Sequence, residues 1–305
     1  MKKVNELIKL PEVKTIFNLF NNNQGIYLVG GCIRDTLSGK EVTDIDFAID
    51  IDPEEVVKTL SNNNIKFYDI GINYGTVTAV IDSKNYEITS LREDIETDGR
   101  HAKVKYTSDI KADSLRRDFT INAIYANRDG ELFDFHNGID DIENRNLKFI
   151  GSANDRVKED YLRILRYFRF YADFSNFEID ANLKKVFKEG SKNFSKISKE
   201  RIWTELKKII NQNNSFKSLS MMNEANILIE ISKDISFIKD YLKISYIENK
   251  INKPIDYLLK FSILLESSEY NANNFIEQFP ISNEEAENLR TFINLDLSIK
   301  SYLSI

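Results

Sequence analysis

GIYLVGGCIRDTLSGKEVTDIDFAI, residues 25–49, decides how the rest of the chain is read. Ile26 to Val29 is an apolar, β-branched and aromatic run that reads as a strand. Gly30-Gly31 ends it in a turn. Cys32 to Gly39 has the length and pattern of a short helix. Asp44 to Ile49 reads as a second strand, and side chains on a strand alternate between faces. Asp44 and Asp46 are therefore expected on one face, with Ile45 and Phe47 turned to the core.

Two carboxylates on one strand face offer hard oxygen ligands to divalent cations. A pair of such ions about 3.5–4 Å apart can activate a hydroxyl and stabilise a leaving pyrophosphate. Taken alone, an Asp-x-Asp strand is more often a solvated face, and a double glycine is more often a tight turn. Together they are harder to dismiss. The glycines sit between strand and helix, where backbone amides can approach a phosphate. Arg34 lies one turn into that helix, within reach of a triphosphate.

Outward from this stretch, TVTAVI (76–81), YEITSL (86–91) and ELFDF (131–135) read as further strands, and PEEVVKTLSNN (53–63) as a helix. Glu87 lies on one of these strands. It is either a third acid beside the pair or an exposed strand residue. From about residue 156 the strand signals stop. EDYLRILRYFRFYADF (159–174), ANLKKVFKEG (181–190), KERIWTELKKIINQ (199–212) and PIDYLLKFSILLES (254–267) carry apolar residues at helical spacing. The expected class is α+β: a mixed sheet of about five strands, then an all-helical half.

Composition narrows the function. The 305 residues are 42% hydrophobic and 30% charged, as in ordinary soluble proteins. One cysteine, Cys32, excludes an internal disulfide framework and fits a reducing cytoplasm. With only His101 and His136 beside it, a structural zinc site is excluded as well. No long apolar run marks a signal or a membrane span. Net charge is −6, so any surface for nucleic acid must be local. From Lys184 to Lys208 nine Lys or Arg face three Glu, and from Arg156 to Arg169 five face two acids. Such runs are commonly solvated helix faces, yet they leave room for a phosphate-binding stripe.

Two arginine-rich segments carry further chemistry. In Arg116-Arg117-Asp118-Phe119-Thr120-Ile121-Asn122, Arg117 can hold phosphate oxygens and Asn122 can hydrogen-bond a sugar or the backbone. Asp118 can equally cap the following turn, and Arg116 reads as surface charge. In the run from Glu159 to Arg169, Asp160, Arg163 and Arg166 recur every three residues, along one helix face. A carboxylate and a guanidinium side by side can match the hydrogen-bonding edge of a base. An ordinary ion pair between Asp160 and Arg163 is the alternative.

These stretches, in this order, resemble the class II tRNA nucleotidyltransferases, the CCA-adding enzymes, and their relatives the bacterial poly(A) polymerases, within the DNA polymerase β-like nucleotidyltransferase superfamily. YLVGGCIRD with TDIDFAI resembles the catalytic motif. LREDIETDGRHAKVKYT resembles the flexible-loop region, and DSLRRDFTINAIY the segment that contacts ribose and triphosphate. HNGIDDIENRNLKFIG resembles the head–neck connector. EDYLRILRYFRF resembles the amino-acid template helix, and KISKERIWTELKKII a later neck motif. The likeness spans about residues 24 to 212, and ETDGRHA and EDYLRILRYFRF lie nearer the CCA-adding wording.

The resemblance implies a nucleotidyltransferase head over residues 1–150, a helical neck over 151–212 and a helical body over 213–305, with the tail of the longer family members absent or truncated. It implies that Asp44 and Asp46 are catalytic and bind Mg²⁺. Gly31, Arg34 and Arg117 would contact the incoming nucleotide. Asp160 and Arg163 would pair with the edge of cytosine or adenine, and Arg166 and Arg169 would complete that pocket. The implied reaction is template-independent addition of C and A from CTP and ATP to a tRNA 3′ end in the cytoplasm, without membrane or DNA. A poly(A) polymerase using ATP alone, an enzyme adding only C-C or only A, and a non-catalytic RNA-binding protein are the rival readings.

Overall fold

A computed structural model describes residues 2–20, 24–98, 101–212, 214–236, 241–251, 253–266 and 268–294. Gly99-Arg100, within the stretch read as a flexible loop, and residues 295–305 of the expected body lie outside the described residues. The chain divides into two units, Met1–Ser152 and Ala153–Ile305.

The first unit is α+β. Its helices are α1 (Lys2–Ile8), α2 (Pro11–Leu19), α3 (Gly31–Ser38), α4 (Pro53–Asn62), α5 (Ile110–Leu115) and α6 (Gly138–Glu143). Its strands are β1 (Ile26–Val29), β2 (Asp46–Ile49), β3 (Lys66–Tyr68), β4 (Thr76–Ile81), β5 (Lys84–Ser90), β6 (Arg92–Asp98), β7 (His101–Tyr106), β8 (Ile124–Ala126) and β9 (Leu132–Asp134). Seven of them form one mixed sheet in the order β3-β4-β5-β2-β1-β8-β9, with β2 and β5 parallel and the other pairs antiparallel. β6 and β7 pair separately as a ribbon.

The sheet is wider than the five strands expected. All five expected strands are present, and β3 and β8 are added. Each of the two is three residues long, too short for alternation to show in the sequence. In the β6–β7 ribbon the charged run REDIETD hides a strand pattern, whereas HAKVKY alternates polar and apolar residues and could have been read as a strand.

One sheet face carries the core. Leu28, Phe47, Ile49 and Ile88 are fully buried there, and Phe17 of α2 meets Phe47 edge-on at 5.5 Å. Burial of such side chains contributes about 1.5–3 kcal/mol each. Register then forces alternate residues of the same strands onto the opposite face. The functional groups stand on that face.

The second unit is helical: α7 (Ala153–Glu159), α8 (Leu162–Phe174), α9 (Ala181–Ser191), α10 (Lys199–Ile210), α11 (Ser215–Glu224), α12 (Ile227–Ile231), α13 (Tyr241–Ile251), α14 (Tyr257–Leu264), α15 (Glu269–Gln278) and α16 (Asn283–Asn294). α8 packs on α10 and α11. Phe168 of α8 lies 5.4 Å from Phe187 of α9, and Trp203, Phe261 and Phe275 form a second aromatic group. No helix among the described residues is long and apolar enough to cross a membrane.

The run 159–174 is not one helix. α7 ends at Glu159 and α8 starts at Leu162. The break falls at Asp160-Tyr161, where the Asp160 Oδ1 accepts the Leu162 N–H at 3.1 Å.

Candidate active site

The chain turn at Gly30 sets the geometry. Gly30 adopts φ 77° and ψ −129°, a backbone region open essentially to glycine alone. It ends β1 and starts α3, so the strand edge beyond Val29 has no continuation. β2 therefore begins at Asp46, the partner of Val29. Asp44 lies in the unpaired segment before it and is exposed. The expected strand over 44–49 is shorter by two residues, and alternation within the strand places Asp46 but not Asp44.

Register supplies what alternation did not. Asp46 is paired with Val29 on one side and Glu87 on the other, and Val29 is paired with Tyr125. Glu87, Asp46, Val29 and Tyr125 thus form one transverse row across β5, β2, β1 and β8, each about 5 Å from the next. Two carboxylates stand side by side in this row. Burial and the neighbouring Glu87 and Asp44 charges push the Asp46 carboxyl up to about 6, with Arg117 and Arg34 pulling against them. This is a carboxylate whose charge lacks sufficient compensation from the protein.

Two guanidiniums flank the row. Arg34, from α3, holds both oxygens of Asp35 at 2.9 and 2.7 Å and donates through Nη1 to Asn122 at 2.7 Å. Asn122 in turn donates to Asp118 at 3.0 Å, and Asp118 accepts the Phe119 N–H at 2.9 Å. Asp118 thus holds Asn122, and Asn122 orients Arg34. A side chain on Gly31 would begin 3.6 Å from Arg34 Nη2. Arg117 lies over the Tyr125 ring, 5.1 Å from its centre, and donates to Asp113 and the Tyr125 hydroxyl. Cys32, beside them in α3, is fully buried, and burial pushes its thiol up to about 12, so it packs and does not react.

The donor set fits a hard divalent cation. Asp46, Asp44 and Glu87 are carboxylates, and Asp46 carries repulsion that a bound cation would relieve. Among the described residues no group of three or more His, Cys, Asp or Glu is placed to hold a metal ion together, so an ion here would take one or two of these carboxylates. That suits an ion such as Mg²⁺, which commonly takes one or two carboxylates and completes its shell with water and substrate phosphate.

The second unit orders its charges differently. Asp160 Oδ2 accepts from Arg201 of α10 at 2.6 Å, and Arg163 donates to Glu159 at 2.5 Å. The alternative pair, Asp160 with Arg163, is replaced by these two. Glu159 also accepts from Arg156 at 2.7 Å. Arg169 donates to both oxygens of the buried Glu205 at 3.1 Å, and Arg166 lies 4.0 Å from it. Asp160 and Arg163 remain adjacent at the start of α8.

Asp113, Tyr125, Glu159, Arg201 and Glu205 were not singled out from sequence. Asp113 with Arg117, and Glu159 with Arg163, have the four-residue helical spacing of ion pairs and could have been found that way. Tyr125, Arg201 and Glu205 are joined to their partners only by the fold.

Residues 26–148 match the Poly A polymerase head domain family, and residues 176–238 the family described as probable RNA and SrmB-binding site of polymerase A. The mitochondrial CCA tRNA nucleotidyltransferase 1 of Danio rerio is 35% identical over 302 residues, 94% of this chain and 68% of that protein. The CCA-adding enzyme of Staphylococcus haemolyticus is 31% identical over 87% of this chain and 64% of that protein. The crystal structure of the Bacillus stearothermophilus CCA-adding enzyme in complex with CTP superposes with a TM-score of 0.75 at 22% identity, over 96% of this chain and 71% of that one. That likeness establishes a shared fold. The chain spans about two thirds of these relatives' length.

Proposed function

The chain belongs to the CCA tRNA nucleotidyltransferase family, and from that membership we propose that it adds C and A nucleotides, from CTP and ATP, to the 3′ end of tRNA without a nucleic-acid template. The observation that carries this is the row of Glu87 and Asp46 beside the Gly30-Gly31 turn, flanked by Arg34 and Arg117. It joins uncompensated acid to phosphate-binding base, as transfer of a nucleotidyl group requires.

The RNA 3′-hydroxyl attacks the α-phosphorus of the bound nucleotide. A new phosphodiester forms, the bond to the β-phosphate oxygen breaks, pyrophosphate leaves, and the hydroxyl proton is released to solvent. Arg117 and Arg34 hold and orient the triphosphate, with the glycine turn letting it approach the backbone. Asp44 and Asp46 would hold Mg²⁺, which when bound supplies charge stabilisation for the attacking and leaving oxygens. Asp160 and Arg163 present acceptor and donor edges to the base, and Arg166 and Arg169 support that surface through Glu205. In this reading residues 1–150 act as the catalytic head, 151–212 as the nucleotide-selecting neck and 213–305 as the body. The basic stretch from Lys184 to Lys208 supports RNA contact. Cytoplasmic action is supported by the single buried cysteine.

A product assay tests this. The chain is incubated with Mg²⁺, a tRNA transcript ending at its discriminator base, and CTP, ATP or both, and the 3′ ends are sequenced. Ends of C-C-A that stop there are expected. Long A tails would identify a poly(A) polymerase, and C-C ends a partial activity. No addition, here or on tRNA already ending in C-C, would overturn the catalytic reading.

A further inference from the structure

Among the described residues of the first unit, Asp113 is the most enclosed ion-paired carboxylate, with a side chain 1% exposed. Its Oδ1 accepts from Arg116 Nε at 2.8 Å and from the Arg92 N–H at 3.2 Å. Its Oδ2 accepts from the Tyr125 hydroxyl at 2.6 Å and from Arg117 Nη2 and Nε at 3.1 and 3.3 Å. Burial works against its charge, but Arg117, Arg116 and the Tyr125 hydroxyl hold it ionised, at about 2. A buried ion of this kind seldom adds net stability over an apolar residue, so its use must be sought elsewhere.

The use lies in the orientation of Arg117. The Nε–Nη2 edge of its guanidinium is fixed by Asp113, Nε is also bonded by the Tyr125 hydroxyl at 2.9 Å, and the Tyr125 ring lies against its face. The other end, Nη1, faces the glycine turn. A Cβ built on Gly30 would stand 3.7 Å from it. Tyr125 belongs to the same transverse row as Asp46, so the hydroxyl that steadies Arg117 is anchored in the strands that carry the acids.

We propose that Asp113, acting with Tyr125, is a positioning residue for Arg117: it grips the Nε–Nη2 edge so that Nη1 is presented at the Gly30-Gly31 turn to a nucleotide phosphate oxygen. The proposal rests on the reading of Arg117 as a nucleotide ligand. An arginine free in solution loses rotamer entropy when it is fixed. Asp113 makes the folding reaction bear that loss, so the nucleotide does not.

The test is calorimetric titration of the full chain with CTP and Mg²⁺, alongside thermal melting, for the wild type, Arg117→Ala, Asp113→Asn, Tyr125→Phe and the double variants in the Arg117→Ala background. Asp113→Asn is expected to raise the CTP Kd on the order of tenfold, and Tyr125→Phe roughly threefold. In the Arg117→Ala background neither should weaken binding further, while their effects on the melting temperature persist. Equal losses in both backgrounds would show a purely structural role and overturn the proposal. So would wild-type affinity in Asp113→Asn where Arg117→Ala has lost binding. Wild-type affinity in Arg117→Ala itself would instead remove the underlying reading of Arg117. If Asp113→Asn fails to fold, Tyr125→Phe, which removes one oxygen, carries the same comparison.

Discussion

The acid row of the sheet and the acids around α8 are held in opposite ways. In the sheet, Asp46 and Glu87 are set side by side by strand register, and among the described residues neither carboxylate has a hydrogen-bond or ion-pair partner in the protein. In the helical unit, Asp160, Glu159 and Glu205 each take an arginine: Arg201, Arg163 and Arg169. Uncompensated acid stores electrostatic free energy that a ligand of opposite charge releases on binding. Paired acid stores none, so a ligand gains only by exchanging places with an existing partner. The first arrangement suits a cation and chemistry. The second suits discrimination, where the difference between two bases is small and must not be swamped by raw affinity.

The sharpest way to break this contrast is to remove the uncompensated acid. Asp46→Ala is expected to lower nucleotide addition by on the order of a thousandfold, the several kcal/mol that a metal site supplies. It should not lower the melting temperature, because the charge removed was repelled by Glu87. A variant that keeps its activity, or that loses activity only together with its fold, would contradict the assignment.

The paired side is tested by a pair that takes no part in the proposed chemistry. Lys260 of α14 is fully buried, 2.6 Å from Glu248 of α13, and also donates to the Gln212 carbonyl at 3.3 Å. Lys260→Met leaves Glu248 buried without a counter-charge, at an expected cost of about 3–5 kcal/mol in chemical denaturation. Adding Glu248→Leu should restore most of it. If the double variant is as unstable as the single, packing and not charge balance holds α13 to α14.

A smaller effect is expected at the residues proposed to select the nucleotide. Asp160→Ala and Arg163→Ala should retain transfer but lose discrimination among nucleotides, by about 1–3 kcal/mol as for a two-point base contact. Arg201→Ala, which frees Asp160 of its partner, should shift the ratio of C to A incorporation less. Unchanged ratios in all three, read by sequencing products made with mixed nucleotides, would remove the selecting role.

How far the sequence foretold this differs between the units for the same physical reason. Strand alternation and the glycine turn are local, so Asp46, Gly31 and Arg34 were legible, and so was the α+β class. The neighbours that give Asp46 its character are not local. The sequence left Glu87 between a third acid and an exposed strand residue, and only the parallel pairing of β5 with β2 sets it beside Asp46, while Tyr125 comes from a three-residue strand with no pattern of its own. In the helical run, periodicity foresaw the helix but not its interruption at Asp160-Tyr161, which leaves no mark in the repeat. Arg201 and Glu205 stand more than thirty residues from their partners, and only the packing of α8 on α10 joins them.

The finest distinction between the two kinds of acid is in pH. The Asp46 carboxyl is raised to about 6 from an ordinary value near 4. A carboxylate with a raised folded value costs stability once ionised: nothing below its unfolded value, the full amount above its folded value. The metal-free protein should therefore lose stability from this group as pH rises from about 4 to about 6, on the order of 1 kcal/mol after solvent screening. Asp113 behaves oppositely. Held at about 2, it contributes stability above its unfolded value that is lost only as pH falls toward 2, so it is silent in the same window. Melting curves at pH 5 and pH 7.5 for the wild type and Asp46→Asn isolate the first effect. The variant should lack the wild type's relative loss at pH 7.5. Added Mg²⁺ should cancel the loss in the wild type and do nothing in the variant, because a bound cation supplies the compensation that the strands withhold. A wild type whose pH response matches the variant's, with or without Mg²⁺, would mean that Asp46 is compensated after all, and the contrast between the two kinds of acid would fall with it.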